Sequence, residues 1–112
     1  MKTLIAALFL VAPGFCFAAF AGCTHWPMTM AIGNLTDAHI TRSELLDESR
    51  TRTVPLALEK TGKNLYRQIY EITFYEKSGR EIKVITSNQA SPTECSISGV
   101  LVWVVSEKLG ME

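Results

Sequence analysis

A chain of 112 residues with 11 basic and 11 acidic side chains, and so no formal net charge, forms one domain at most. Its charges fall singly or in mixed pairs without a basic stripe, which excludes nucleic acid as an expected partner. The core that such a chain can bury is modest, so a covalent staple would be useful.

Residues 1–18 open on Lys2, continue through the apolar run Leu4 to Ala12, break at Pro13-Gly14 and close on Phe15-Cys16-Phe17-Ala18. That order of charge, apolar stretch and small residue predicts a secretory signal peptide, with cleavage after Ala18 or as late as residue 21 or 22. Pro13-Gly14 and the lack of a basic flank argue against a membrane-spanning anchor. Residues 19–112 are then a single small exported domain, periplasmic or secreted.

Cys16 leaves with the signal, and the remaining Cys23 and Cys95 predict one disulfide. Closing a loop of that length stabilises a fold by roughly 4 kcal/mol in the chain-entropy picture. A competing fate exists, because Phe20-Ala21-Gly22-Cys23 resembles the end of a bacterial lipoprotein signal, whose cysteine is lipidated and held at the envelope membrane. The two fates exclude each other. The disulfide is favoured, since Pro13-Gly14 places cleavage near Ala18 and Phe20 is a less typical residue than leucine in a lipidation signal.

Thr24 to Leu35 carries Trp26, Met28, Met30 and Ile32, too much apolar surface for a disordered start. The alternation of Met28, Met30 and Ile32 predicts a short strand, pinned by Cys95 beside the sheet. Asn34 to Ser49 is the expected helix, capped by Asn34 or Thr36 with Asp37 at its positive end and Leu35, Ala38, Arg42, Leu45 and Leu46 on one face.

Thr51 to Glu59 alternates Val54, Leu56 and Leu58 with Thr53, Pro55, Ala57 and Glu59, a strand that Pro55 confines to an edge or to its own start. Thr61-Gly62-Lys63-Asn64 supplies the next turn. Leu65 to Thr86 predicts a hairpin. A three-residue loop of Lys77, Ser78 and left-handed Gly79 sets Glu76 against Arg80, Phe74 against Ile82, Ile72 against Val84 and Tyr70 against Thr86. Shorter or longer loops would set Phe74 against Lys83 and Glu76 against Glu81, so pair chemistry selects the register. Glu71, Thr73, Tyr75, Glu81, Lys83 and Ile85 then form its outer face.

Ser91-Pro92-Thr93-Glu94 has the cap, proline and glutamate of a single helical turn. Val100 to Val105 is apolar at both parities, which predicts a strand inside the sheet with both faces covered. Tyr66, Tyr70 and Phe74, with Trp103 near them, read as core. Glu107 to Glu112 is charged and expected to fray.

The chemistry-bearing residues are sparse. Cys23, His25 and Cys95 lack the two close ligand pairs of a metal site, and Cys95 as a nucleophile conflicts with its disulfide. Ser98-Gly99 has no nucleophile-elbow context, the carboxylates lie beside Arg80 and Lys83, and no glycine-rich phosphate loop occurs. Asn34-Leu35-Thr36 is a glycosylation triplet discounted beside a bacterial type of leader. Neither enzyme activity, a cofactor nor a metal is expected.

These readings combine into an α+β fold: a small antiparallel sheet of about four strands, with one helix packed on a face and one disulfide. The expected function is that of a non-enzymatic exported binding module of the bacterial envelope, such as an inhibitor or immunity protein acting by surface complementarity. Another protein is the expected partner, with Trp26, Tyr66, Tyr75, Arg50 and Arg52 as candidate contacts and a homodimer allowed. The alternative is a membrane-held lipoprotein or an accessory structural subunit of an envelope assembly, with membrane contact only if Cys23 is lipidated. Intact mass of the exported protein separates the two. The expected mass begins at Ala19 or Gly22 and gains two hydrogens on reduction, whereas a start at an acylated Cys23 would exclude the disulfide.

Overall fold

The computed structural model describes residues 20–105. The leader expected over residues 1–18 and the charged end from Glu107 to Glu112 lie outside the described residues. One helix, α1 (His25–Asp37), is followed by single 3-10 turns at Ser43–Leu45 and Glu48–Arg50, then by strands β1 (Arg52–Gly62), β2 (Leu65–Tyr75), β3 (Glu81–Ala90) and β4 (Leu101–Val104). The strands form an antiparallel meander in the order β1-β2-β3-β4, with α1 packed against β3 and β4. The expected α+β architecture is present, and Cys23 is bonded to Cys95.

The central hairpin forms in the register that pair chemistry selects. Phe74 lies opposite Ile82, Ile72 opposite Val84 and Tyr70 opposite Thr86. The Glu76 amide donates to the Arg80 carbonyl at 2.8 Å, and Gly79 sits at φ +105°, a backbone conformation that a side chain would disfavour. Pairing then continues as far as Tyr66 opposite Ala90, beyond the expected end at Thr86. β1 is an edge strand as Pro55 requires, with its pairing shifted between Pro55 and Ala57.

The helix is displaced from its expected position. His25–Asp37 is helical, and the segment after Asp37 is a loop with two short turns. Pro27, Ala31 and Leu35 recur every four residues and are buried, with Met28 and Ile32 half-buried beside them. This stripe outweighs the alternation of Met28, Met30 and Ile32. Pro27 sits in the first turn, where its missing N–H breaks no intrahelical bond. Asn34 and Thr36 do not cap: their side chains donate back to the carbonyls of Met30 and Ile32. The end of the helix is set by His39, which adopts φ +60°. The His39 amide then donates to the Thr36 carbonyl and the Ile40 amide to the Leu35 carbonyl, a closed Schellman arrangement with Ile40 packed on the core beside Leu35.

Two further expectations are corrected. β4 is not inside the sheet but at its edge, because it is the last strand of a meander and no described strand follows it. Leu101, Trp103, Val104 and Val105 are accordingly exposed, and Trp103 lies on the face opposite to Tyr70 and Phe74. Ser91 to Glu94 closes as a tight turn with Ser91 and Glu94 bonded to each other, although the Ser91 hydroxyl does accept from the Thr93 and Glu94 amides as a cap would.

The core lies between α1 and one face of the hairpin: Ala31 and Leu35 meet Leu46, Tyr70, Ile72, Phe74, Ile82 and Val84. Phe74 is fully buried, so Phe74→Ala is expected to cost about 3–5 kcal/mol. Val54→Ala on the exposed part of β1 should change stability by no more than about 0.5 kcal/mol. Urea unfolding of the two variants checks both values.

Candidate functional site

Side chains of a strand alternate between its faces, so covering one face of a sheet with a helix leaves the other to solvent. Here the uncovered face follows from the register in rows across the four strands. Val54, Glu71, Ile85 and Trp103 form the central row. Ala57, Ile69, Ser87 and Leu101 form the row on one side. Arg52, Thr73 and Lys83 form the row on the other, and Val105 joins it through its amide bond to the Lys83 carbonyl. The apolar members of the central rows are Val54 and Trp103, exposed at the two flanks, and Ile69 and Ile85, half-buried between them. Charges lie at both ends, Arg52 and Lys83 at one and the Glu59–Arg67 pair (3.6 Å) at the other, and Glu71 divides the central row. The uncovered face thus combines exposed apolar side chains with charges of both signs.

The sequence candidates divide between two sides of the molecule. Tyr75, Arg50 and Arg52 are brought together at one end of the uncovered face, with the Arg50 guanidinium 4.3 Å from the centre of the Tyr75 ring. That stacking holds a planar cation and a phenol in a fixed relation at the rim. Trp26 is on α1, 41% exposed, and belongs to the helix side. Tyr66 shares the parity of Gln68 and stacks at 5.0 Å on Phe20, so it is also away from the uncovered face. Ile69, Ile85, Leu101 and Trp103 are the members that residue-type reasoning left out. Their common parity across β2, β3 and β4 was the available signal, and it depended on placing β4 beside β3.

The disulfide is held from below by a buried amide network. Gln68, with no exposed surface, accepts from the Cys23 amide at 2.9 Å and donates to the Cys23 carbonyl at 2.8 Å and to Asn88 Oδ1 at 3.1 Å. Asn88 in turn donates to the Cys95 carbonyl at 3.2 Å and to the Ser96 hydroxyl at 2.9 Å. The Tyr70 hydroxyl donates to Gln68 Oε1, and burial pushes its ionisation above the ordinary range, so it stays a donor. Each atom of this network has a structural partner, and its role is to fix Cys23 and Cys95, whose Cα atoms are 5.4 Å apart.

At the other end of the core, the loop after α1 forms a shallow depression of about 380 Å³ lined by Thr36, His39, Ile40, Thr41, Arg42 and Leu45. Arg42, the one cation there, is paired with Glu44 at 3.2 Å. Among the described residues, no group of three His, Cys, Asp or Glu side chains stands close enough to hold a metal ion, and no helix is long and apolar enough to cross a membrane. Comparison of the chain with known protein families, curated proteins and solved structures finds no match.

Glu76 ties this loop to the hairpin. The Thr41 hydroxyl donates to it at 2.6 Å, Arg80 at 3.3 Å and Ser78 at 3.4 Å, while Arg80 also donates to the Ile40 carbonyl at 2.9 Å. The Thr41 bond foremost, aided by the Arg80 charge and opposed by desolvation, holds the Glu76 carboxyl below the usual carboxylate range. A carboxyl with a folded pKa below its unfolded one contributes stability above the unfolded pKa, and this contribution is lost as pH falls through the folded pKa. Glu76→Gln should therefore lower stability near neutral pH and flatten its dependence below the ordinary carboxylate pKa, measurable by urea unfolding across an acid pH series.

Proposed function

We propose that the chain is an exported protein-binding module, periplasmic or secreted, that acts by covering a partner protein's surface with the uncovered face of its sheet. An inhibitor or immunity protein is the kind of molecule that works in this way. The observation that carries the reading is the set of apolar side chains Val54, Ile69, Ile85, Leu101 and Trp103, spread over two adjacent rows with Glu71 and Ser87 among them, on a face that nothing in residues 20–105 covers. A monomer gains nothing from exposing such side chains together, whereas a partner that desolvates them gains on the order of 25 cal/mol per Å² of apolar surface. Arg50, Tyr75 and Arg52 supply the rim contacts that set orientation.

Export is supported by the disulfide, which is compatible with an oxidising compartment. The same bond occupies the Cys23 sulfur that a lipid thioether would need, so the soluble reading is preferred to a lipid-held subunit.

The test uses the native envelope as the source of partner. Crosslinking and capture with the exported chain should retain one protein stoichiometrically, and its affinity should fall about ten-fold or more for Val54→Lys and for Arg52→Glu, a loss of roughly 1.4 kcal/mol or more. Both sites lie on the exposed β1 part of the face, so folding is expected to be unchanged. Undiminished affinity in both variants would remove the uncovered face from the function.

A further inference from the structure

The two edges of the sheet are built differently, and the difference points to what occupies one of them. A strand edge offers unpaired N–H and C=O groups to any other strand. The β1 edge is protected: it contains Pro55, it shifts register between Pro55 and Ala57 and again between Lys60 and Gly62, and it carries Arg52, Glu59 and Lys60. The β4 edge has none of these devices. From Ser96 to Ser106 there is no charge and no proline, and the pairing of β3 with β4 runs in unbroken register from Ser87 opposite Leu101 to Val84 opposite Val104.

The phase of that pairing fixes which groups are free. The Val105 amide donates to the Lys83 carbonyl at 2.8 Å, so the odd residues Leu101, Trp103 and Val105 turn their backbone groups toward β3. The even residues Val100, Val102 and Val104 turn theirs outward. Among the described residues, none pairs with them.

We propose that a second copy of this chain occupies this edge, β4 pairing with β4 about a two-fold axis at Val102. The sequence of the strand is self-complementary in that arrangement. Val102 faces Val102 of the other copy, each Val100 faces a Val104, and each Trp103 faces a Leu101. Every opposed pair is apolar and no like charges meet, so the uncharged stretch tolerates its own reversal, which a charged strand would not. Leu101, Trp103, Val104 and Val105 are 60%, 49%, 47% and 45% exposed in the single chain, so each has surface left to bury. A contact through so short a strand is small, below the roughly 1,000 Å² that a specific, stable interface clears, and so belongs to the weak class. Because Pro55 and the shifts in β1 block the far edges, the assembly closes at two copies instead of extending as a fibre. This pairing does not rest on the partner-binding reading. It leaves the β1 part of the uncovered face free, and either can fail alone.

The experiment is sedimentation of the exported, disulfide-bonded chain at about 100 μM, high enough to populate a weakly held dimer, joined to amide hydrogen exchange at high and low concentration. A dimer is expected, with the Val102 and Val104 amides protected at high concentration and exchanging freely on dilution, while outward amides of β1 exchange at the same rate in both. Val100→Pro removes an outward N–H at the start of the strand and leaves the bonds to β3 in place, so it should weaken the dimer at least ten-fold with the Cys23–Cys95 bond intact. A monomer at that concentration, a dimer in which the Val102 and Val104 amides remain unprotected, or a folded Val100→Pro chain that dimerises as before would each overturn the proposal. The exchange measurement uses the unaltered chain, so a misfolded variant does not remove the test.

Discussion

The structure depends on one buried side chain. Gln68 lies at the disulfide end of the core with no exposed surface, and an amide buried without partners would cost several kcal/mol. Its partners are the N–H and C=O of Cys23, with Asn88 carrying the network on to the Cys95 carbonyl. The sheet thus positions the backbones of both cysteines before any sulfur chemistry is considered, and the disulfide locks a geometry that hydrogen bonds already favour. Gly22 belongs to the same arrangement: at φ +94° it lets the chain pass over β2, and a Cβ there would collide with the Tyr70 hydroxyl. Since α1 begins two residues after Cys23, this clamp also decides where the helix starts, and so that its stripe of Pro27, Ala31 and Leu35 turns toward the sheet.

With one helix available, only one side of four strands is sealed. Leu46, held by the loop that Glu76 and Arg80 anchor, completes that side next to Phe74. Nothing in residues 20–105 remains for the other side, and the apolar side chains there are a consequence of strand composition that the fold does not compensate. Arg52, Lys83, Glu59 and Arg67 stand at the two ends of the apolar rows, and Glu71 alone crosses the central one.

The hairpin was legible because its determinants are local. Gly79 fixes the loop, and the choice between Phe74 opposite Ile82 and Phe74 opposite Lys83 is settled by two side chains. The disulfide was legible because, with Cys16 assigned to the expected leader, the two remaining cysteines leave one pairing. α1 was not, since Met28, Met30 and Ile32 satisfy a strand period and a helix period overlaps it, and the deciding fact is which stripe meets Tyr70 and Val84. His39 concealed the helix end for a related reason: a residue that ordinarily sits at negative φ takes the left-handed place that glycine usually marks. β4 misled because apolar residues at both parities fit a strand covered on both faces as well as one whose second face awaits a contact. Tyr75, Arg50 and Arg52 were legible only as separate candidates; their meeting at one end of the face, like the apolar rows between them and Leu101, required the order of strands.

The two surfaces of β4 are chemically separable, and Trp103 shows why. Its side chain lies on the uncovered face beside Ile85, while its backbone groups are directed at β3. Val102 and Val104 have the reverse assignment, with side chains toward the helix side and backbone groups directed outward. A strand of four residues can therefore serve a face through its odd positions and an edge through its even ones, without one use obstructing the other. Pairing at the edge would extend the uncovered face across eight strands and bring the Trp103 and Leu101 side chains of two copies into one apolar band. That band would be bounded at both ends by β1, where Arg52 and Glu59 return the surface to charge. Short length, which makes β4 a weak element within its own sheet, thus limits the contact to a size at which charge placement elsewhere on the face still decides what else can bind.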